Sequence, residues 1–370
     1  MVTPSGDLDS SLMRAVLQRI AAGPELSKDI SREEARAAMR LVLDGRVDPV
    51  QAGVFLIALR MKRETDDEML GLLDALRDAT RTIDVAVDEL IDIGDPYDGY
   101  ARTLPIAVFL PALLGACGVP AISHGVETMG PKYGVTHAQV LRAAGVPVDY
   151  SMEQAAARLA DPAIGWAYLD QSVFCPKLHR LATLRSLIVK RPALTTIEVL
   201  LHPMRARRKT HVVTGYVHRA YPRIYALLAR AAGFDSALIV RGVEGGVIPT
   251  LRQEGKYFSY GGGMSEARER RIKPNEFGFG DSLLPSAAST GSTSSGDGAP
   301  IDALALAAAA ADSGRRALQG ESGATRDNLI AGAALCLNHL GRHPSLLAAA
   351  AAARAALDNG SAYRKFFARP

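Results

Sequence analysis

The 370-residue chain has only three cysteines, and their spacing excludes two common ways of stabilising a fold. Cys117, Cys175 and Cys336 lie far apart and form no CxxC pair, so neither a disulfide framework nor a zinc site is indicated. No apolar run reaches the ~18–20 residues that span a bilayer. The N-terminus lacks the basic start and apolar centre of a secretory signal. We therefore expect a cytoplasmic protein.

Acidic residues are scarce in the middle of the chain. From Lys177 to Arg230 there are twelve lysines and arginines and one acid, Glu198, although the overall formal charge is only +4. A block of this kind can concentrate polyanions or phosphate esters. The candidate nucleic-acid contacts within it are Lys190, Arg191, Arg205, Arg207, Arg208, Lys209, Arg219 and Arg223. A solvated face that balances acidic residues elsewhere explains the same block, and both interpretations stay open.

The first ninety residues predict a series of helices. Ser31 and Glu34 have the spacing of a capping box, and apolar residues follow at helical intervals. Asp48-Pro49 predicts the start of a second helix, because proline suits the first helical turn. Thr65 to Glu68 predicts the start of a third. Short helices joined by short turns indicate a small bundle.

From Glu89 onward, short apolar runs alternate with helical segments. Strands are predicted at Leu90–Ile93, Val119–Ser123, Thr195–Leu201, His211–Tyr216 and Ala237–Arg241, and helices at Ile106–Gly115, Tyr221–Ala232, Ile301–Leu318, Arg326–Leu340 and Pro344–Leu357. This alternation indicates an α/β layer with a mainly parallel sheet. Ligands bind such sheets where strands end in loops, here after Ile93, Ser123 and Arg241. The low-complexity stretch Pro285–Pro300 predicts a flexible loop.

Several strings resemble the anthranilate phosphoribosyltransferase family over nearly the whole chain. They are the opening SREEARAAMRLVLDGRVDPVQAGVFLIALRMKRET, the central SHGVETMGPKYG and FCPKLHRLATLRSLIVKRPALTTIEVLLHPM, and the closing ALQGESGATRDNLIAGAALCLNHLG. The resemblance implies a small N-terminal helical domain and a larger α/β domain with a mainly parallel central sheet and flanking helices. We place the helical domain at 1–88, completed by about 170–192, and the α/β domain at 89–169 and 193–370. The resemblance also implies a homodimer through the helical domain.

The loop that binds the sugar donor in that family has a different sequence in this chain. The family holds phosphoribosyl pyrophosphate with Gly-Thr-Gly-Gly-Asp, whose glycine amides close on the pyrophosphate. The matching stretch is Gly94-Asp95-Pro96-Tyr97-Asp98, followed by Gly99. Pro96 removes an N–H donor, Tyr97 adds bulk, and Asp95 adds a negative charge. These changes oppose binding of a polyphosphate in the family's way.

Two further family motifs are changed in the same direction. The Asn-x-Ser-Thr that holds the 5′-phosphate corresponds to Pro105, Ala107 and Val108, which offer no side-chain donors. The adjacent Asp-Glu pair that positions magnesium corresponds to Val247-Ile248, so no metal site and no cofactor are expected. Magnesium would bind here only if Glu244 replaced the missing acids.

Other positions keep polar groups that suit a substrate. Arg185 matches the arginine that contacts the anthranilate carboxylate in the family, although a surface arginine is an equal alternative. The candidate substrate-binding residues, drawn from the matched loops, are Gly94, Asp98, Gly99, Thr103, His124, Gly125, Lys132 and Arg185. No catalytic residue is assigned.

Two functions follow as hypotheses. The first is transfer of a pentosyl-type group from a phosphorylated sugar to an unknown acceptor, with anthranilate excluded. The second is non-catalytic, non-specific binding of single-stranded nucleic acid by a dimer that uses the basic 177–230 segment. If Arg205, Arg207, Arg208 and Lys209 faced a dimer interface or paired with carboxylates, the second hypothesis would weaken.

Overall fold

The computed structural model describes residues 4–23, 25–261, 266–279 and 302–369. The loop predicted at Pro285–Pro300 lies outside these residues. Within them, no helix combines the length and the apolar character needed to cross a membrane.

The N-terminal part consists of four helices, as the sequence predicts. They are α1 (Pro4–Ile20), α2 (Arg32–Leu43), α3 (Pro49–Lys62) and α4 (Asp66–Asp78). The Ser31 hydroxyl accepts from the Glu34 amide while the Glu34 carboxylate accepts from the Ser31 amide, which completes the capping box that starts α2. Asp48 caps α3 through the Val50 amide. Local capping chemistry therefore sets where these helices begin.

Nine strands of the described residues form a two-stranded ladder and a seven-stranded sheet. The strands are β1 (Ile83–Asp84), β2 (Glu89–Gly94), β3 (Ala121–Gly125), β4 (Trp166–Asp170), β5 (Met204–Arg205), β6 (Lys209–Gly215), β7 (Ser236–Val240), β8 (Gly255–Tyr260) and β9 (Arg268–Ile272). Strands β1 and β5 pair in parallel, and the large sheet has the order β4-β3-β2-β6-β7-β8-β9. Its first five strands are parallel, whereas β8 and β9 are antiparallel. This confirms the predicted fold class.

Twelve further helices follow within the part of the chain that the structure describes. They are α5 (Leu110–Ala116), α6 (His137–Ala143), α7 (Met152–Ala160), α8 (Gln171–Phe174), α9 (Pro176–His179), α10 (Ala182–Ile188), α11 (Leu194–Ile197), α12 (Tyr221–Ala231), α13 (Ala303–Leu318), α14 (Ala324–His339), α15 (Leu346–Asp358) and α16 (Ser361–Phe366). They bury the two faces of the sheet in two apolar cores. Burial on both faces explains why the central strands are mainly apolar, with few polar residues such as Asp92 and His124 among them.

The strand predicted at Thr195–Leu201 is wrong. Residues Leu194–Ile197 form α11, and Glu198–Leu200 continue as a 3-10 turn. A short apolar run that is buried on every side has no periodicity to separate a strand from a helix. In addition, β2 already pairs with β3 on one side and β6 on the other, so a strand at Thr195–Leu201 could not pair with it.

Candidate functional site

The carboxyl ends of β2, β3, β6 and β7 bring the predicted loops to one edge of the sheet, which we call the carboxyl edge. In the loop after β2, the Asp95 carboxylate accepts from the Tyr100 hydroxyl (2.8 Å) and from the Val247 amide (2.9 Å). The Nε2 atom of His137 lies 2.9 Å from the same carboxylate. Burial raises the pKa of Tyr100 well above its usual value, so its hydroxyl remains a donor. Asp95 thus joins the loop after β2 to the loop after β7.

Glu244, in the loop after β7, reaches across to the loop after β2. One carboxylate oxygen accepts from the amides of Arg102 and Thr103 (2.9 Å each) and from the Thr103 hydroxyl (3.0 Å). The other accepts from the Ala101 amide (3.0 Å) and lies 3.0 Å from the Lys132 ammonium. Burial opposes ionisation of Glu244, but Lys132 and these amides hold its pKa below the usual value.

Tyr97, where the resemblance places a glycine, caps a buried polar chain. The Nε2 atom of His124 lies 2.6 Å from the Asp92 carboxylate, and its Nδ1 atom lies 2.5 Å from the Tyr97 hydroxyl. With Nε2 donating to Asp92, Nδ1 of a neutral imidazole accepts the tyrosine proton. Burial raises the pKa of Tyr97 well above its usual value. Both nitrogens of His124 are therefore occupied by the chain itself.

Two predicted substrate contacts are likewise held by internal partners. Arg185 is buried, and its two terminal nitrogens donate to the two oxygens of Glu198 (2.6 and 2.7 Å), with a weaker contact to Thr195. Asp98 is buried and accepts from the half-exposed Arg191 (2.6 Å). The Arg185–Glu198 pair is bidentate, which makes it a strong pair, whereas both Arg191 contacts go to one oxygen of Asp98.

Two of the glycines predicted to bind substrate are required by close packing of the backbone. A Cβ on Gly94 would lie 2.6 Å from the carbonyl oxygen of Val199. Gly99 has φ +73° and would place a Cβ 2.5 Å from the carbonyl oxygen of Gly134. The remaining predicted glycine, Gly125, ends β3 beside the Tyr168 hydroxyl.

Little space remains between these loops. A pocket between Tyr100, Thr103, Val243 and Ile248 has a volume of about 30 Å³. That is roughly the share of one water molecule. The residues matched to the family's 5′-phosphate motif, Ala107 among them, are buried in the apolar core. This pocket is too small for a sugar pyrophosphate.

The same residues do not fit a magnesium ion. The buried Val247 and Ile248 supply no oxygen ligand, and both Glu244 oxygens already face N–H donors and an ammonium group. Magnesium requires several hard oxygen ligands. Within the described ranges, no group of three or more histidine, cysteine, aspartate or glutamate residues could hold a metal ion.

The basic segment is divided between two edges of the sheet. Arg191 lies at the carboxyl edge through its pairing with Asp98, and Lys190 adjoins it. Arg219 follows the carboxyl end of β6, and Arg223 pairs with Asp66 (2.6 and 2.7 Å). The other four residues precede or begin β6, at the opposite edge: Arg205, Arg207, Arg208 and Lys209. We call these four the amino-edge cluster.

The amino-edge cluster is exposed and held on a fixed backbone. All four side chains are exposed, and no carboxylate of the described chain lies within the 4.0 Å ion-pair distance of any of them. The backbone amides of Arg207 and Lys209 donate to the carbonyls of Val87 and Asp88. Arg205 also lies near Arg77, whose pKa is lowered by burial and then by Arg205. Within the described chain these four cations therefore have no ion-pair partner, although Asp84 and Asp88 lie on the segment that pairs with them.

Sequence reasoning missed several of these residues. Asp92 was visible as a carboxylate inside an apolar strand, and a buried carboxylate requires a partner. Glu244 was noted only as a metal ligand, since its donors at 101–103 lie more than a hundred residues away. The sequence marks Glu198 only as the one acid of the basic segment and does not indicate its pairing with Arg185.

Two family models cover most of the chain. Residues 14–80 match a model described as glycosyl transferase family, helical bundle domain, and residues 98–363 match one described as glycosyl transferase family, a/b domain. Among sequence relatives, an uncharacterized protein of Aquifex aeolicus is 30% identical over 225 residues, which are 60% of this chain and 65% of that protein. An anthranilate phosphoribosyltransferase of Sphingopyxis alaskensis is 28% identical over 346 residues, 94% of this chain and 97% of that protein.

Among solved structures, the anthranilate phosphoribosyltransferase of Saccharomyces cerevisiae in complex with PRPP and Mg has a TM-score of 0.73. The match covers 97% of this chain and 96% of that one, with 16% sequence identity. The likeness concerns the fold.

Proposed function

The chain belongs to the glycosyl transferase family defined by these two domains. We propose that it is an anthranilate phosphoribosyltransferase-like member that binds nucleic acid and does not catalyse the transfer. The first part of the proposal is that it does not act on anthranilate. Three observations support it. The Glu244 carboxylate accepts hydrogen bonds from the amides at 101–103, the Tyr97 hydroxyl is hydrogen-bonded to His124, and Glu198 accepts from Arg185. A substrate would have to displace these internal partners. Transfer from a pyrophosphate donor needs free positive groups to stabilise the leaving charge.

The amino-edge cluster carries the second part of the proposal. Its four cations are exposed without carboxylate partners, whereas the chain pairs many other cations, including Arg223 and Arg191. An unpaired cluster on a fixed turn suits a phosphate backbone, and release of counterions from the nucleic acid would drive binding. No base-reading motif accompanies it, so the binding should be insensitive to sequence.

A homodimer would double this surface. Helices α1, α3 and α10 surround an apolar groove of about 660 Å³. Around it Val50, Met61 and Leu187 are 73%, 76% and 75% exposed. Large apolar side chains that are exposed together on one face of a protein often mark an interaction surface. The groove shares no residue with the amino-edge cluster, so both copies would keep their cations free.

A second candidate is pentosyl transfer from a less charged donor. It rests on the buried Asp92–His124 pair and on Lys132, all at the carboxyl edge. This candidate requires Tyr97 and Glu244 to leave the positions they occupy.

The test is fluorescence anisotropy with a labelled single-stranded 20-mer at 50 and 200 mM salt. We expect saturable binding that weakens steeply with salt. Replacing Arg205, Arg207, Arg208 and Lys209 with alanine should weaken low-salt binding about 100-fold, because several phosphate contacts are lost.

A matched control removes the same charge elsewhere, through alanine at the exposed Arg40, Arg252, Arg316 and Arg364. This control variant should weaken DNA binding about tenfold or less, since it lowers the overall positive charge of the protein but leaves the amino-edge cluster intact. Equal losses in the two variants would contradict the proposal. Saturable binding of phosphoribosyl pyrophosphate with Mg²⁺ to the unaltered protein would favour the transferase instead.

A further inference from the structure

Three side chains at the amino edge of the sheet, where its parallel strands begin, form a hydrogen-bonded series of carboxylate, imidazole and hydroxyl. Glu89, His211 and Ser236 lie near the starts of the adjacent strands β2, β6 and β7. The Nε2 atom of His211 lies 3.0 Å from the Glu89 carboxylate, and its Nδ1 atom lies 2.6 Å from the Ser236 hydroxyl. We call these three residues the amino-edge triad.

The direction of each hydrogen bond follows from the carboxylate. Although burial opposes ionisation of Glu89, hydrogen bonds from Arg342 and His211 hold its pKa below the usual value. An ionised carboxylate only accepts, so Nε2 of His211 donates to Glu89. Burial lowers the pKa of His211, which keeps the ring neutral at pH 7 and leaves Nδ1 as an acceptor. His211 is therefore placed to take the proton of the Ser236 hydroxyl.

A second imidazole faces the same hydroxyl. The Nε2 atom of His339, the last residue of α14, lies 2.8 Å from the Ser236 oxygen. Because the serine proton is already directed to His211, this nitrogen carries a proton and donates to the oxygen. A fixed donor at this position would stabilise negative charge that develops beside the serine oxygen. Ser236 thus has a proton acceptor and a separate donor, both held by the fold.

A glycine leaves room beside this hydroxyl. A Cβ on Gly261, which follows β8, would lie 3.0 Å from the Ser236 Cβ and 4.0 Å from the Ser236 oxygen. A side chain at position 261 would therefore crowd the serine. Ser236 is 6% exposed, so its hydroxyl is shielded from most bulk water.

Two cations flank the amino-edge triad. Lys209 is exposed and lies two residues before His211, on the same face of β6 because side chains alternate along a strand. Arg342 is half-exposed and pairs with Glu89. Positive charge beside the serine favours a substrate that carries a negative group.

We propose that Ser236 is a nucleophile that hydrolyses small carboxylic esters bearing a negative charge, with His211 as its general base and Glu89 as a positioning residue. The serine oxygen bonds to the carbonyl carbon while its proton passes to Nδ1 of His211. The ester C–O bond then breaks, and the alcohol leaves with that proton. Water attacks the acyl-serine in the same way, which releases the acid and restores the hydroxyl. This activity rests on neither the nucleic-acid proposal nor pentosyl transfer.

Labelling with a fluorophosphonate tests the proposal on the full chain, because this probe forms a P–O bond with an activated serine and releases fluoride. Mass spectrometry of the digested protein should locate the label on Ser236. Labelling should be lost in Ser236→Ala and should slow by at least about 100-fold in His211→Gln. A matched control, Ser186→Ala, removes an exposed hydroxyl that donates to the Thr183 carbonyl and should leave labelling unchanged.

Turnover is measured with 4-nitrophenyl 4-sulfobenzoate, and the uncharged 4-nitrophenyl benzoate is the comparison. Each rate is divided by that of uncatalysed hydrolysis, and the sulfonated ester should then react about tenfold faster. Glu89→Gln should lower kcat by at least about 100-fold and change KM by about twofold or less, because the carboxylate acts on His211 rather than on the ester.

Three results would overturn the proposal. They are a folded, unaltered protein without label on Ser236, ester hydrolysis that survives Ser236→Ala, and equal corrected rates for the two esters. The first is measured on the unaltered protein, so it decides the question even if a variant does not fold. Binding of single-stranded DNA by Ser236→Ala should equal that of the unaltered protein. Failure of the serine can thus be told apart from failure of the nucleic-acid proposal.

Discussion

At the scale of single residues, buried charge is the most demanding feature of this chain. Arg185 and Glu198 are both buried and pair through two hydrogen bonds. Desolvation of the two ions offsets most of their attraction, but breaking the pair leaves an uncompensated charge in the core. The pair therefore constrains sequence change more than it adds to net stability.

We expect Glu198→Ala to lower the free energy of unfolding by about 3–5 kcal/mol, because it leaves Arg185 buried without a partner. Urea denaturation followed by circular dichroism measures this. The exposed pair of Arg223 and Asp66 is the comparison, and Asp66→Ala should cost about 1 kcal/mol or less. Similar losses in the two variants would show that Arg185 finds water or another partner.

Residues of this kind were only partly predictable from the sequence. Asp92 could be recognised as needing a partner, because it interrupts an apolar strand. Which group Glu244 or Glu198 contacts depends on chain segments brought together by folding. Local spacing carries no information on such pairs.

At the scale of secondary-structure elements, a polar chain links the sheet to α14. His211 lies 3.0 Å from Glu89 and 2.6 Å from the Ser236 hydroxyl, which lies 2.8 Å from His339. Burial lowers the pKa of His211 and lowers that of His339 to about 4. The folded form therefore holds both imidazoles neutral where the unfolded chain would protonate them.

From this we expect stability to fall as the pH decreases from about 6.5 to 4, since the unfolded state then binds more protons than the folded state. His339→Gln should flatten that decline by about 2 kcal/mol relative to the unaltered protein. The measurement is the urea midpoint at half-unit pH steps. His218→Gln, at an exposed histidine, should leave the profile unchanged, and a matching change there would contradict the assignment.

Elements were predictable where local chemistry decides them. Capping boxes fixed α2 and α4, and short, mainly apolar runs indicated β2, β6 and β7. Strand β9 was missed because Arg268–Ile272 is mostly charged and has no apolar alternation. At Thr195–Leu201 the opposite happened. An apolar run predicted a strand, but its first part folds as the helix α11.

At the scale of the whole molecule, the apolar groove of α1, α3 and α10 predicts association. We expect a dimer at micromolar concentration by size-exclusion chromatography with light scattering. The double variant Met61→Glu, Leu187→Glu should be monomeric, because two charges would be buried at the interface. Leu304→Glu, at a residue that is 85% exposed on α13, should remain dimeric. A monomeric unaltered protein would refute the prediction.

Strand β6 runs from Lys209 at one edge of the sheet to Gly215 at the other, a distance of about 20 Å at the usual rise per residue. A polyanion bound at the amino edge would therefore leave the loops of the carboxyl edge uncovered. If occupancy at one edge alters affinity at the other, thermodynamic linkage requires the same factor in both directions. Any coupling between the two edges would then appear equally in a titration begun from either one.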